Sequence, residues 1–162
     1  MAERDPSLSS RRNHPAYEQD FAAWLQAQAD LLRERRFDEL DIPNLAEEVE
    51  SVGRSEFRAL ESALELILFH MMKWDYQTER QGRSWRDTIN EQRSQVAKLL
   101  RDNPSFKSRL NEAIQVAYSG VPAKIDQKTG VPEHRLPREC PYSLDEIMSR
   151  PHNIDLDRPW PN

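Results

Sequence analysis

Three polar residues stand where the helical pattern of this chain asks for apolar ones. From Ile42 to Tyr76 large apolar residues recur every three or four positions, and Glu56 and His70 both fall inside that stripe; Gln92 does the same between Ile89 and Val96. A polar group taken out of water needs a partner. Two expectations follow. The three residues either satisfy one another in a polar layer that fixes the register of neighbouring helices, or they open onto an inter-helix cleft. In the second case Glu56, His70, Lys73, Trp85, Gln92 and Arg93 are the candidate residues for binding or transforming a small ligand.

A second patch lies at residues 73–86, KWDYQTERQGRSWR, where cations alternate with flat aromatic rings. Arg80, Arg83 and Arg86 are the candidate contacts for an anion or a single-stranded nucleic acid. Asp75 and Glu79 dilute the charge, and Trp74 and Trp85 are expected in the core. The whole chain carries a net charge of −5 with a pI near 5.4, which argues against nucleic acid as a general partner. The acids between Glu34 and Glu65 and the bases between Arg80 and Arg101 are expected to meet if the second and third helices pack antiparallel.

Other chemistries find little to work with. A metal-binding bundle wants several converging histidines or carboxylates, such as a Glu-x-x-His pair, and none occurs; His14, His134 and His152 fall in segments without helical period. No metal and no cofactor are expected. Cys140 sits between Glu139 and Pro141 and reads as a packed residue, and there is no nucleophile elbow or phosphate loop. Glu47, Glu48 and Glu50 cluster at a helix start, where carboxylates suit the dipole.

These residues must be positioned by helices. Residues 1–14 read as a disordered leader, and a first helix is expected from about Pro15, with Tyr17, Phe21, Trp24, Leu25, Gln28, Leu31 and Leu32 on one face. Asp41 is placed to cap the second helix, Ile42 to Tyr76, whose stripe runs through Leu45, Val49, Val52, Leu60, Ala63, Ile67 and Trp74. Gly53 leaves open whether that helix is continuous, since a glycine inside a helix can mark a bend or a true break. Ser84 and Asp87 read as a capping box that starts the third helix at Trp85. A fourth helix buries Phe106, Leu110, Ile114 and Val121, with Pro122 near its end and Gly130 as a stop. Next comes a proline-rich wrap anchored by Leu136 and Tyr142, then a short fifth helix capped by Ser143 and Glu146. Residues 151–162 read as an irregular tail. The expected fold is an all-α bundle of four main helices, up-and-down in its centre, forming one domain over residues 15–150.

Composition agrees. Hydrophobic residues make up 37% of the 162 and charged residues 31%, with only 4 glycines, a balance that favours helices with solvated outer faces. One cysteine excludes an intrachain disulfide, and no apolar run reaches membrane-spanning length. A cytoplasmic protein without membrane contact is expected.

Several ordered motifs carry a family resemblance: Asp20-Phe21-Ala22-Ala23-Trp24, DELDIPNLAEEVESVGRSE from Asp38 to Glu56, HMMKW from His70, RSWRDTINEQR from Arg83, and the late Leu136-Pro137 and Cys140-Pro141. In these the chain resembles the domain of unknown function 29 family. The resemblance implies a bacterial α-helical protein and transfers no catalytic role to any residue. It draws attention to Asn44, Glu47, Glu48, Glu50, Arg54, His70, Lys73, Trp74, Trp85, Gln92 and Arg93. Pro122 and Leu136 depart from the family pattern.

The leading functional expectation is a non-enzymatic protein-interaction module that binds a protein partner or itself, because the sequence invests in helix faces and caps and assembles no reactive constellation. A small enzyme or ligand-binding bundle built on the cleft residues is the alternative. Weak nucleic-acid binding through residues 73–86 is the third.

Overall fold

The computed structural model describes residues 17–154, so the expected leader and residues 155–162 of the expected tail lie outside it. Among the described residues every regular element is helical, as the periodicity requires. They form two compact units, one ending at Arg54 and one starting at Ser55.

In the first unit, α1 spans Phe21–Arg33. It starts later than Pro15 because residues 17–19 form a turn and the Asp20 carboxylate caps the helix by accepting from the Ala23 amide at 3.0 Å. It ends in a left-handed turn: the Arg36 amide donates to the Leu31 carbonyl and the Arg35 amide to the Leu32 carbonyl. Arg35 itself takes φ = 58°, a position that favours glycine. Helix α2 spans Ile42–Tyr76 without a break at Gly53. Its first turn hangs on Asp41, whose backbone carbonyl accepts from Leu45 at 2.9 Å.

The second unit is built on the later part of α2, which buries Phe57, Leu60, Leu64, Ile67, Leu68, Met71 and Met72. Helix α3, Arg83–Asp102, runs antiparallel to it: Trp85 near its start lies against Lys73, and Phe106 just beyond its end meets Phe57 edge-on at 5.2 Å. It begins on Gly82 and not on a Ser84 cap, so Ser84 lies inside the first turn and Asp87 pairs with Arg86. The Gln81 side chain explains the early start, since it donates to the Trp74 carbonyl at 2.9 Å and turns the chain at once.

After a 3₁₀ turn at Pro104–Arg109, α4 (Leu110–Ser119) runs alongside α2 in the same direction, from Arg109 over the Phe57 ring to Tyr118 beside Met72. The expected fourth helix is in fact two, because Pro122 opens α5, Val121–Thr129, where a missing amide costs nothing. Helix α5 returns, and Lys124 pairs with Glu65. Two acids of α2 in this unit thus meet bases that follow α3, Glu65 pairing with Lys124 and Glu61 lying near Arg109. Gly130 stops α5 with φ = 75°. The wrap follows, with Leu136 buried and Tyr118 donating to the Pro137 carbonyl at 2.8 Å. Helix α6, Leu144–Ser149, has the Ser143/Glu146 capping box.

Candidate functional site

The apolar stripe of α2 changes its surroundings at Phe57. At about 100° per residue, Leu45, Val49 and Val52 share a face with Leu60, Ala63, Ile67 and Trp74. From Phe57 onward that face is buried, but before it Ile42, Val49 and Val52 are 56%, 67% and 65% exposed. Leu45 is half-buried. The stripe expected to be core along its whole length is core only in its later part.

Helix α1 shows the same surplus. It buries Trp24, Gln28 and Leu31, while Phe21, Leu25 and Leu32, one step round the helix, stay exposed. The two helices run antiparallel, since the Tyr17 hydroxyl donates to Glu48 and the Trp24 indole donates to Asp41 at 3.2 Å. On each helix the open stripe lies on the same rotational side of these contacts, so in an antiparallel pair both stripes open on one side of the hairpin.

Polar ties hold that hairpin. Asp41 also accepts from the Asn44 amide group at 2.7 Å, and its own backbone amide donates to the Gln28 side chain at 2.8 Å. Gln28 is buried because that bond satisfies it. The hydrogen bond to Glu48, with burial and the charges of Glu48, Glu47 and Asp41, pushes the Tyr17 phenol up to about 12. It therefore stays a donor at neutral pH.

In the second unit, the six residues expected around one cleft occupy different places. His70, Lys73 and Trp85 come together: the Lys73 ammonium sits 4.1 Å from the Trp85 ring centroid and 5.4 Å from that of Phe69, and His70 meets Phe69 edge-on. His70 Nδ1 lies 2.8 Å from the Leu66 carbonyl, which can only accept, so Nδ1 carries the proton and Nε2 is left as an acceptor. Burial, reinforced by the Lys73 charge, lowers the His70 pKa. Burial and then Arg80 lower that of Lys73. Glu56 is exposed, fourteen positions and ~21 Å along the helix from His70. Gln92 is half-buried on α3. Arg93 turns to the far end of α6, where its guanidinium donates to the carbonyls of Ile147 at 2.7 Å, Glu146 at 3.1 Å and Arg150 at 3.0 Å. Of the basic candidates, Arg80 and Arg83 are exposed, and Arg86 holds Asp87 at 2.8 Å.

A polar cluster that the sequence did not reveal forms at the end of α2. The Asp75 carboxylate accepts two hydrogen bonds from Arg150, at 2.9 and 2.6 Å, and a third from the Tyr142 hydroxyl at 2.7 Å. Burial works to raise its pKa, but these bonds and the Arg150 charge outweigh it and hold the carboxyl below its ordinary value. Burial and then the hydrogen bond to Asp75 push the Tyr142 phenol well up. Beside them His152 is 6% exposed, edge-on to Trp74 at 5.0 Å, and neither ring nitrogen has a hydrogen-bond partner among the described residues. Burial, then the charges of Arg93 and Arg150, lower its pKa to about 4. With both carboxylate oxygens and the Arg93 donors engaged internally, this cluster locks the C-terminal segment onto α2 and α3.

One signal for it was available: a carboxylate in the last turn of a helix opposes the dipole and calls for a cation. Among the described residues no group of three or more His, Cys, Asp or Glu could hold a metal ion, and no helix is long and apolar enough to cross a membrane.

No curated protein and no solved structure matches the chain. The family described as Domain of unknown function DUF29 matches residues 16–152, from the residue before Tyr17 through His152, and the chain belongs to that family.

Proposed function

We propose that the chain is a protein-interaction module whose docking surface is the open apolar side of its first unit. The observation that carries this reading is the stripe of α2 before Phe57, where Ile42, Val49 and Val52 are each more than half exposed, beside the open Phe21, Leu25 and Leu32 of α1. Valine and isoleucine are middling helix formers, so on a solvated helix surface they add nothing that glutamate or lysine would not add better. Their value lies in what they bury when covered, about 25 cal/mol per Å² of apolar surface. Contiguous apolar patches of several hundred Å² characteristically mark interaction sites. The setting we infer is the bacterial cytoplasm, supported by the bacterial character that the family resemblance implies, the single cysteine, and the described residues holding no helix long and apolar enough to cross a membrane.

The test is binding of a hydrophobic fluorescent dye to the purified chain, compared with the double variant Val49→Asp/Val52→Asp. The expected result is either an associated chain or a monomer that binds dye, with both properties lost in the variant while helical circular dichroism is kept. A monomer that binds no dye contradicts the reading.

A further inference from the structure

We propose that α2 carries a hinge at residues 52–56, where the helix opens transiently and lets the units on either side turn about it. This goes beyond the interaction-module reading and does not rest on it.

Exposure along α2 marks the place. Elsewhere in the helix exposed residues never run beyond two in succession, whereas Val52, Gly53, Arg54, Ser55 and Glu56 are all exposed. At about 100° per residue five successive positions go once round the helix, so here no face of α2 is covered. The boundary between the two units falls inside this stretch, between Arg54 and Ser55. Opening the helix here uncovers no packed side chain, while opening it one turn later uncovers Phe57 and Leu60. Local unfolding requires least free energy where burial is least.

The residue types suit a joint. Glycine and serine are weaker helix formers than alanine, and Gly53 lies between Ser51 and Ser55, a composition at which helices kink. Gly53 is helical and outside the left-handed region, and a methyl group built on it meets nothing within 4 Å. Alanine would therefore fit the closed helix and strengthen it. What glycine adds is freedom when the helix opens, which is what a hinge uses. Among the described residues the only side-chain bond that reaches into the stretch joins Glu50 to Arg54 at 3.2 Å. Both side chains are more than half exposed, so the pair adds little.

The test is amide hydrogen exchange of the full chain, wild type against Gly53→Ala. In the closed helix the amides of Ser55, Glu56 and Phe57 pair with the carbonyls of residues 51–53 across the joint. They should exchange at least about tenfold faster than those of residues 46–49 and 64–68. Alanine should slow them by about fivefold and leave both flanks unchanged. A second readout is the distance between spin labels on Glu47→Cys and Ser62→Cys, in a chain also carrying Cys140→Ser. A straight helix holds their backbones ~22 Å apart. The hinge adds a population at shorter distances, reduced in Gly53→Ala.

Protection at the joint equal to that of residues 64–68, or exchange there indifferent to alanine, overturns the proposal. Exchange as fast at residues 46–49 as at the joint overturns it too, since the first unit then unravels whole. So does local exchange without any bent population. Neither readout needs a partner, so the interaction-module reading stands or falls by dye binding alone.

Discussion

Arg150 and Asp75 lie 75 positions apart and meet through two parallel hydrogen bonds of 2.9 and 2.6 Å, with both side chains about seven-tenths buried. A fork-to-carboxylate pair of this kind fixes orientation as well as distance. It joins the last turn of α2 to the segment after α6 and, with Tyr142, makes Asp75 the point on which the wrap closes.

Replacing Asp75 by Asn should therefore cost about 2 kcal/mol, read as a lowered urea midpoint, with partial exposure keeping it below the cost of a fully buried pair. Arg150→Ala should cost a similar amount, and the double variant little more than either alone. Additive losses would mean the two residues act separately.

His152 should make the protein sensitive to mild acid. Its pKa falls from an ordinary 6.5 to about 4 in the folded state, so the unfolded chain binds the extra proton first. The stability due to keeping it neutral is present above about pH 6.5 and is lost as the pH falls towards 4. Asp75, whose folded pKa is also depressed, loses its contribution at lower pH still, as the pH falls through that folded value. His152→Leu should flatten the dependence of the denaturation midpoint between pH 6.5 and 4; an unchanged slope there would remove His152 as its source.

Arg93 satisfies three carbonyls at the end of α6 from two nitrogens of its rigid planar fork, Nε and Nη2, a spacing that the one nitrogen of a lysine ammonium does not reproduce. Arg93→Lys should speed amide exchange at Ile147 by about tenfold, the equivalent of roughly 1.4 kcal/mol, while the α2 core amides stay protected. Equal acceleration in both places would mean that the substitution weakens the whole unit.

Lys73 should lose its proton below the ordinary lysine range, because burial and Arg80 both disfavour its charge. Arg80→Gln should move its titration upward, followed by NMR of the ammonium nitrogen. No movement would remove Arg80 as a cause.

Arg35, at φ = 58°, closes α1 in a conformation that glycine adopts without strain. Arg35→Gly should stabilise the first unit by about 0.5–1 kcal/mol, measured by thermal denaturation.

The elements were largely legible in the sequence. The bounds of α2 and the Ser143 cap follow from spacing and cap chemistry, which act over a few residues. What escaped depends on distant parts of the chain. Gln81 reaching back to Trp74 starts α3 before the expected Ser84 cap, and the Asp75–Arg150 pair spans 75 positions, its one local sign, a carboxylate in the last turn of α2, calling for a cation without naming which. Of the candidate cleft, helical spacing brought His70 and Lys73 onto neighbouring positions, and the antiparallel turn added Trp85. Arg93 is held elsewhere because α6 presents open carbonyls to it, which no feature of α3 foretells. Periodicity likewise fixes which residues share a face of α2. It cannot say whether anything covers that face, and Val49 and Leu60 look alike in the sequence.

The most direct measurement compares two substitutions on that one stripe, Val52→Asp and Leu60→Asp, by thermal denaturation at concentrations low enough that association contributes nothing. If the stripe is an open docking face before Phe57 and core after it, Val52→Asp should leave the stability within about 0.5 kcal/mol of the parent. Leu60→Asp should lose at least about 3–5 kcal/mol by burying a carboxylate where an apolar side chain packed. Comparable losses at both positions would show that the chain covers Val52 itself, and would contradict a docking face there.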